Sequence, residues 1–209
     1  MTNYITLLDQ TARQLKAIIE STADVETVPT DDYGWENHRW RSPHFRMAHL
    51  EIFNQDRFMV VHLCVFPHAY DPRPIFGFDV IAGESKVTGV FMDLSPTIDN
   101  TEPFTSLNFG KMRERPEWGD IFSQHWIACR PNAEEMITIA EEVQRVLRTY
   151  LDDLSLSKRY HPKYEEVINA QNHYCLQQRK NEHTVKAIKN LLGEQRATEF
   201  VTQVLFPTI

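Results

Sequence analysis

Apolar positions in the first twenty residues recur every three to four. Ile5, Leu8, Ala12, Leu15 and Ile19 fall on one face of a helix over 4–20. A polar stretch, 21–34, follows and predicts no element. The period then changes to two. Over 45–53, Phe45, Met47, His49, Glu51 and Phe53 alternate with Arg46, Ala48, Leu50 and Ile52, as in a strand with two distinct faces. Over 57–66, Phe58, Val60, His62, Cys64 and Phe66 share a face. Asn54-Gln55-Asp56 lies between the two runs and predicts a hairpin. With Gln55-Asp56 as a two-residue loop, Asn54 pairs with Arg57, His49 lies opposite His62, and Glu51 lies opposite Val60. Directly opposed residues share a face, so His49, Glu51 and His62 are expected to project together. A one-residue slip would separate them.

Beyond the Asp71-Pro72-Arg73-Pro74 turn, a strand is expected near 76–83. An antiparallel neighbour over 86–93 ends at Leu94-Ser95-Pro96. Residues 97–120 read as irregular, and a further strand is expected near 122–129. Met136, Ile139, Ala140, Val143, Leu147 and Tyr150 form an amphipathic helical stripe. A second long helix over about 162–192 and a shorter one over 194–205 complete the pattern. One antiparallel sheet between helical ends predicts a single domain, 1–209, with helices on both faces of the sheet.

Composition narrows the classes. No window approaches the roughly 20 apolar residues of a membrane span. The first residues lack the basic start and apolar run of a secretory signal, so a soluble, cytoplasmic protein is expected. Cys64, Cys129 and Cys175 lie far apart without CxxC spacing, which predicts reduced, buried thiols. The net charge of -7, from 22 basic and 29 acidic residues, argues against a nucleic-acid partner.

The chemistry lies on the strands. His49, Glu51, His62 and Asp79 interrupt apolar segments, where acidic side chains are normally excluded. Desolvation and neighbouring charge alter protonation at such positions, which is how a proton donor active near neutral pH is made. Two other readings stay open on the residues alone. The four side chains could face solvent, or His49, His62 and Glu51 could bind iron or zinc, although no known ligand motif is present. There is no GxSxG, GxGxxG or Walker motif. A redox enzyme built this way would take its electrons from outside.

The order of several blocks then carries a resemblance. His49-Leu50-Glu51, His62 within VVHLCVFPHAYDPRPIFGFDVIAG, MDLSP, RPEWGDIFS and the closing HYCLQQRKNEHTVKAIKNLLGEQRATEFVTQVLF resemble the ferredoxin-dependent bilin reductases from about residue 35 onward. The resemblance implies an α/β fold, a three-layer α/β/α sandwich with a central antiparallel sheet flanked by helices. It implies that biliverdin IXα binds between the sheet and the C-terminal helices, with no metal or flavin held. Reduced ferredoxin, with its 2Fe–2S cluster, would be the external electron donor, and bilin radicals the intermediates.

His62 and Asp79 match the His–Asp pair of the phycocyanobilin:ferredoxin oxidoreductase-like lineage. Glu51 matches the carboxylate that protonates the D-ring exovinyl group there, and His49 its strand partner. By the same resemblance, Arg113 is a propionate-binding arginine, Thr88 a hydroxyl near the pigment's carboxylate region, and Gln178 and Asn181 polar positions on a pocket-facing helix. His183 stands where the lineage has a lysine, within Asn181-Glu182-His183 in place of Asn-Asp-Lys. The Glu51-to-His62 spacing is one residue shorter than in typical members. The product, phycocyanobilin or phycoerythrobilin, stays open. A non-catalytic bilin carrier or a bilin lyase would use the same pocket. Acidic ferredoxin requires a basic patch, for which Arg179, Lys180, Lys186, Lys189, Arg113 and Arg115 are candidates. No membrane partner is expected, and the chain is expected to be a monomer.

Overall fold

Among the described residues seven strands, β1 (Glu26–Val28), β2 (Glu36–Arg41), β3 (Phe45–Gln55), β4 (Phe58–Pro67), β5 (Ile75–Gly83), β6 (Val87–Ser95) and β7 (Ile127–Cys129), form one antiparallel sheet in sequence order. The computed structural model describes residues 3–55, 57–98, 112–156 and 160–209. Period-two alternation gives this sheet two apolar faces. Ala48, Leu50, Ile52, Met59, Val61, Leu63, Phe76, Phe78 and Val80 pack on one side. They meet the buried stripes of α1 (Tyr4–Glu20) and α2 (Ala133–Leu156). Asn3 starts α1, its side-chain oxygen accepting from the amides of Ile5 and Thr6.

The opposite face carries a second core. Met47, Cys64, Phe66 and Ile75 pack against Tyr174 and Cys175 of α3 (Tyr164–Gln178) and against Phe200, Val204 and Phe206 near the C-terminus. The sheet is therefore sandwiched by helices, as expected. All three cysteines are free and buried.

Four expectations need correction. The polar stretch 21–34 and the residues after it contain β1 and β2, which the sequence pattern did not announce. The edge strand β1 is largely exposed, and β2 buries only Trp40 fully. The β3–β4 hairpin closes on Gln55 opposite Phe58, so Glu51 lies opposite His62, and His49 opposite Cys64. The turn residue Asp56 lies outside the described residues. A shift of two in the partner preserves the pleat, so His49, Glu51 and His62 still share a face.

The strand expected near 122–129 is reduced to β7. Before it, Ser123 is drawn out of the ladder, its backbone amide and hydroxyl both donating to the buried Asp93 carboxylate. The helix expected over 162–192 breaks after α3. Asn181 caps a new helix, α4 (Glu182–Leu192), by accepting from the Thr184 amide. A short α5 (Glu194–Glu199) follows and widens into a π-turn over Phe200–Leu205. Gly193, at φ +78, supplies the left-handed link between α4 and α5.

Candidate active site

Register builds the site. Glu51 on β3 pairs with His62 on β4, and His62 pairs with Asp79 on β5, so three ionisable side chains form one row across adjacent strands. His62 Nδ1 and Asp79 Oδ1 are 2.7 Å apart. The His62 side chain is buried, whereas that of Asp79 is 41% exposed. The pair thus runs from the protein interior to an open surface. Val60, Ile81 and Phe91 share that face around Asp79 and are only partly covered, making an apolar shelf beside the carboxyl group. Phe206 packs edge-on against His62 from the C-terminal layer.

The environments set three different protonation states. At His62, burial disfavours the charged ring, but the charge and hydrogen bond of Asp79 outweigh it and hold the imidazole protonated well above its ordinary range. At His49, burial and the neighbouring His62 and Arg39 push the ring well below its ordinary range, so it is neutral. At Glu51, burial pushes the carboxyl up to about 7, with His62 pulling it down and Asp79 pushing it further up. Imidazolium, neutral imidazole and a carboxyl near its midpoint therefore sit together at neutral pH.

His49 lies deeper, its ring 5.6 Å from that of His62 between centroids. Its Nε2 is 3.2 Å from Asn37 Oδ1 on β2. Sequence reasoning missed Asn37 because β2 has no clean alternation to mark it as a strand.

A second cluster lies toward β6 and β7. The Arg113 amide donates to the Ala128 carbonyl, 2.7 Å, which holds this segment beside β7. The Arg113 guanidinium lies over the Phe91 ring, 5.1 Å to its centroid, and donates to the Thr88 carbonyl. Arg130 Nε donates to the same carbonyl at 3.2 Å. A Cβ at Gly89 would lie 3.3 Å from the Arg113 guanidinium, so the glycine keeps room for this approach. Burial and the nearby Arg130 both disfavour the charge on Arg113. Among the described residues no carboxylate forms an ion pair with either arginine. Thr88 donates its hydroxyl to the Ile81 carbonyl at 3.1 Å.

Of the remaining expected residues, Gln178 donates to the Tyr174 hydroxyl at 3.1 Å, and that hydroxyl lies 3.7 Å from Cys64 Sγ on the site face. The Asn181 side chain is engaged in capping α4, and His183 is exposed on the first turn of that helix. Neither is hydrogen-bonded to the row of ionisable groups. Several candidate docking cations have internal partners. Arg179 donates to the Phe206 and Thr202 carbonyls, Lys189 pairs with Glu194 at 2.6 Å, and Arg115 donates to the Phe122 carbonyl. Lys180 and Lys186 remain exposed. Among the described residues no group of three His, Cys, Asp or Glu side chains is arranged to hold a metal ion, and no helix is long and apolar enough to cross a membrane.

Fold and site together define an α/β protein that pairs a buried imidazolium with a half-exposed carboxylate at the edge of a part-open apolar face. A family-wide sequence model of the ferredoxin-dependent bilin reductases matches residues 14–207. The phycocyanobilin:ferredoxin oxidoreductase of Trichodesmium erythraeum (strain IMS101) is 28% identical over 184 residues, covering 82% of this chain and 75% of that protein. The protein of the same name from Synechococcus elongatus (strain ATCC 33912) is 29% identical over 185 residues, with the same coverage. Solved structures share the fold, PcyX and a phytochromobilin synthase among them. PcyX superposes with a TM-score of 0.69 at 25% identity, covering 97% of this chain and 99% of that one. Phytochromobilin synthase from tomato, solved in complex with biliverdin, superposes with a TM-score of 0.73 at 16% identity, covering 97% and 82%. The chain belongs to the ferredoxin-dependent bilin reductases.

Proposed function

We propose that this chain, as a single domain, reduces biliverdin IXα by four electrons to a phycobilin, either phycocyanobilin or phycoerythrobilin. Reduced ferredoxin supplies the electrons one at a time. The observation that carries the reading is the His62–Asp79 pair, 2.7 Å apart, one member buried and the other opening onto the apolar shelf. A flat tetrapyrrole laid on Val60, Ile81 and Phe91 would meet the Asp79 carboxyl at its lactam region. Each electron added to such a ring system raises its basicity. A proton held between Asp79 and His62 is then available where the charge develops.

Glu51, whose carboxyl is pushed up to about 7 by burial, would protonate an exovinyl group if the product is phycocyanobilin. Arg113 would receive a propionate, because a guanidinium matches a carboxylate through two parallel hydrogen bonds. Thr88 and Gln178 border the same pocket in this reading. Asn181 acts by placing α4, and His183 leaves the second propionate more weakly neutralised than a lysine would.

The test is an anaerobic reaction of the purified chain with biliverdin, ferredoxin and an electron source. Progressive spectral change, with release of a pigment that co-elutes with a phycocyanobilin or phycoerythrobilin standard, is expected. A single spectral shift on mixing, with unaltered biliverdin recovered, would sink the proposal.

A further inference from the structure

His62, when protonated, must donate through both ring nitrogens. Its Nδ1 faces Asp79 at 2.7 Å, while its Nε2 is buried with no hydrogen-bond partner among the described residues. The nearest imidazole is His49, fully buried, with rings 5.6 Å apart between centroids. On His49 it is Nδ1 that is buried without a hydrogen-bond partner among the described residues, while Nε2 meets Asn37 Oδ1 at 3.2 Å. One nitrogen on each ring is therefore left over. If both carried hydrogen, each would be a buried donor without an acceptor, at a cost typical of an unsatisfied buried group.

We propose that Asn37 is a positioning residue: its side-chain oxygen accepts from His49 Nε2–H and thereby keeps His49 Nδ1 as the acceptor beside the proton-donating His62. The Asn37 amide suits this task because it is neutral. A carboxylate there would draw a proton onto His49, whereas an amide oxygen fixes the tautomer and adds no charge. The groups around His49 are consistent with a neutral ring. His38 and Arg39 approach it from β2 and His62 from β4, Glu51 lies on its own strand, and Phe200 packs from the C-terminal layer. The position of Asn37 is fixed by the sheet, since it is register-paired with Glu51 and lies one diagonal step from His49. The catalytic consequence rests on the function proposed above; the tautomer does not.

Nitrogen-15 labelling of histidine in the full chain, with two-bond proton–nitrogen correlations assigned through His49→Gln, tests the tautomer directly. Wild type is expected to show His49 as Nε2–H. Asn37→Asp, which keeps an acceptor, should retain hydrogen on Nε2, and Asn37→Leu, which keeps the size alone, should lose the preference. In the reductase assay Asn37→Leu should lower kcat at least tenfold with biliverdin affinity within threefold, and Asn37→Asp should shift the pH profile of kcat. An Nδ1–H tautomer in wild type overturns the proposal, as does an Asn37→Leu protein that keeps the Nε2–H pattern. Absence of biliverdin reduction by wild type with the Nε2–H pattern present would instead overturn the proposed function and leave the Asn37–His49 assignment standing.

Discussion

Replacing Glu51 by Gln gives a stability gain whose size depends on pH. The Glu51 carboxyl is buried beside His62 and Asp79 and titrates at about 7, against 4.5 for the unperturbed group. Between these values the folded chain retains a proton that the unfolded chain has released, so stability falls as pH rises through the window. Above pH 7 both states are ionised and the whole penalty is present. At about 1.4 kcal/mol per pH unit, the gap amounts to about 3 kcal/mol. Glutamine keeps the size and a neutral polar head, so the variant escapes this loss. Urea unfolding at pH 4.5 and pH 8 reads it out. Variant and wild type should be nearly equally stable at the lower pH, and the variant should be more stable by up to about 3 kcal/mol at the higher. Taking the difference between the two proteins cancels the titrating groups that do not interact with Glu51. A difference independent of pH would show that Glu51 is ionised throughout, and the account of a proton held at this carboxyl would be wrong.

Asp79→Asn should bind biliverdin within about threefold of wild type yet reduce it at least 100-fold more slowly. The His62 ring titration seen by nuclear magnetic resonance should move down in pH, because the carboxylate that holds it protonated is gone. Arg113→Gln should weaken biliverdin about tenfold, measured by absorbance titration, and leave the affinity for biliverdin dimethyl ester unchanged, since the ester offers no carboxylate. Asn181→Ala should cost about 1 kcal/mol in chemical unfolding through loss of the α4 cap, with little change in biliverdin affinity. Lys180→Glu combined with Lys186→Glu should raise the KM for ferredoxin and flatten its salt dependence; an unchanged salt dependence would place docking elsewhere.

The helical stripe of α1, the strands β3 to β6 and the stripe of α2 were legible because each follows its period without interruption. The shared face of His49, Glu51 and His62 was legible for the same reason, since alternation on a strand assigns a face to every residue at once. The break between α3 and α4 was not, because Arg179, Lys180 and Asn181 all tolerate a helix and only the Asn181 cap reveals the new start. Nor was β2, whose sequence Glu36–Arg41 is polar enough to pass for loop and is a strand because β3 supplies a ladder for it.

Sequence alone therefore determined which ionisable groups point toward the same side of the sheet, and the ordered motifs carried the resemblance to the family. Tertiary structure decided who faces whom. A hairpin slipped by two residues buries the same apolar face, so hydrophobic pattern cannot choose between Glu51 and His49 as the neighbour of His62. The closing pair at Gln55 and Phe58 makes that choice. It sets a carboxyl beside an imidazolium and leaves the second imidazole to be oriented by a strand the pattern did not show.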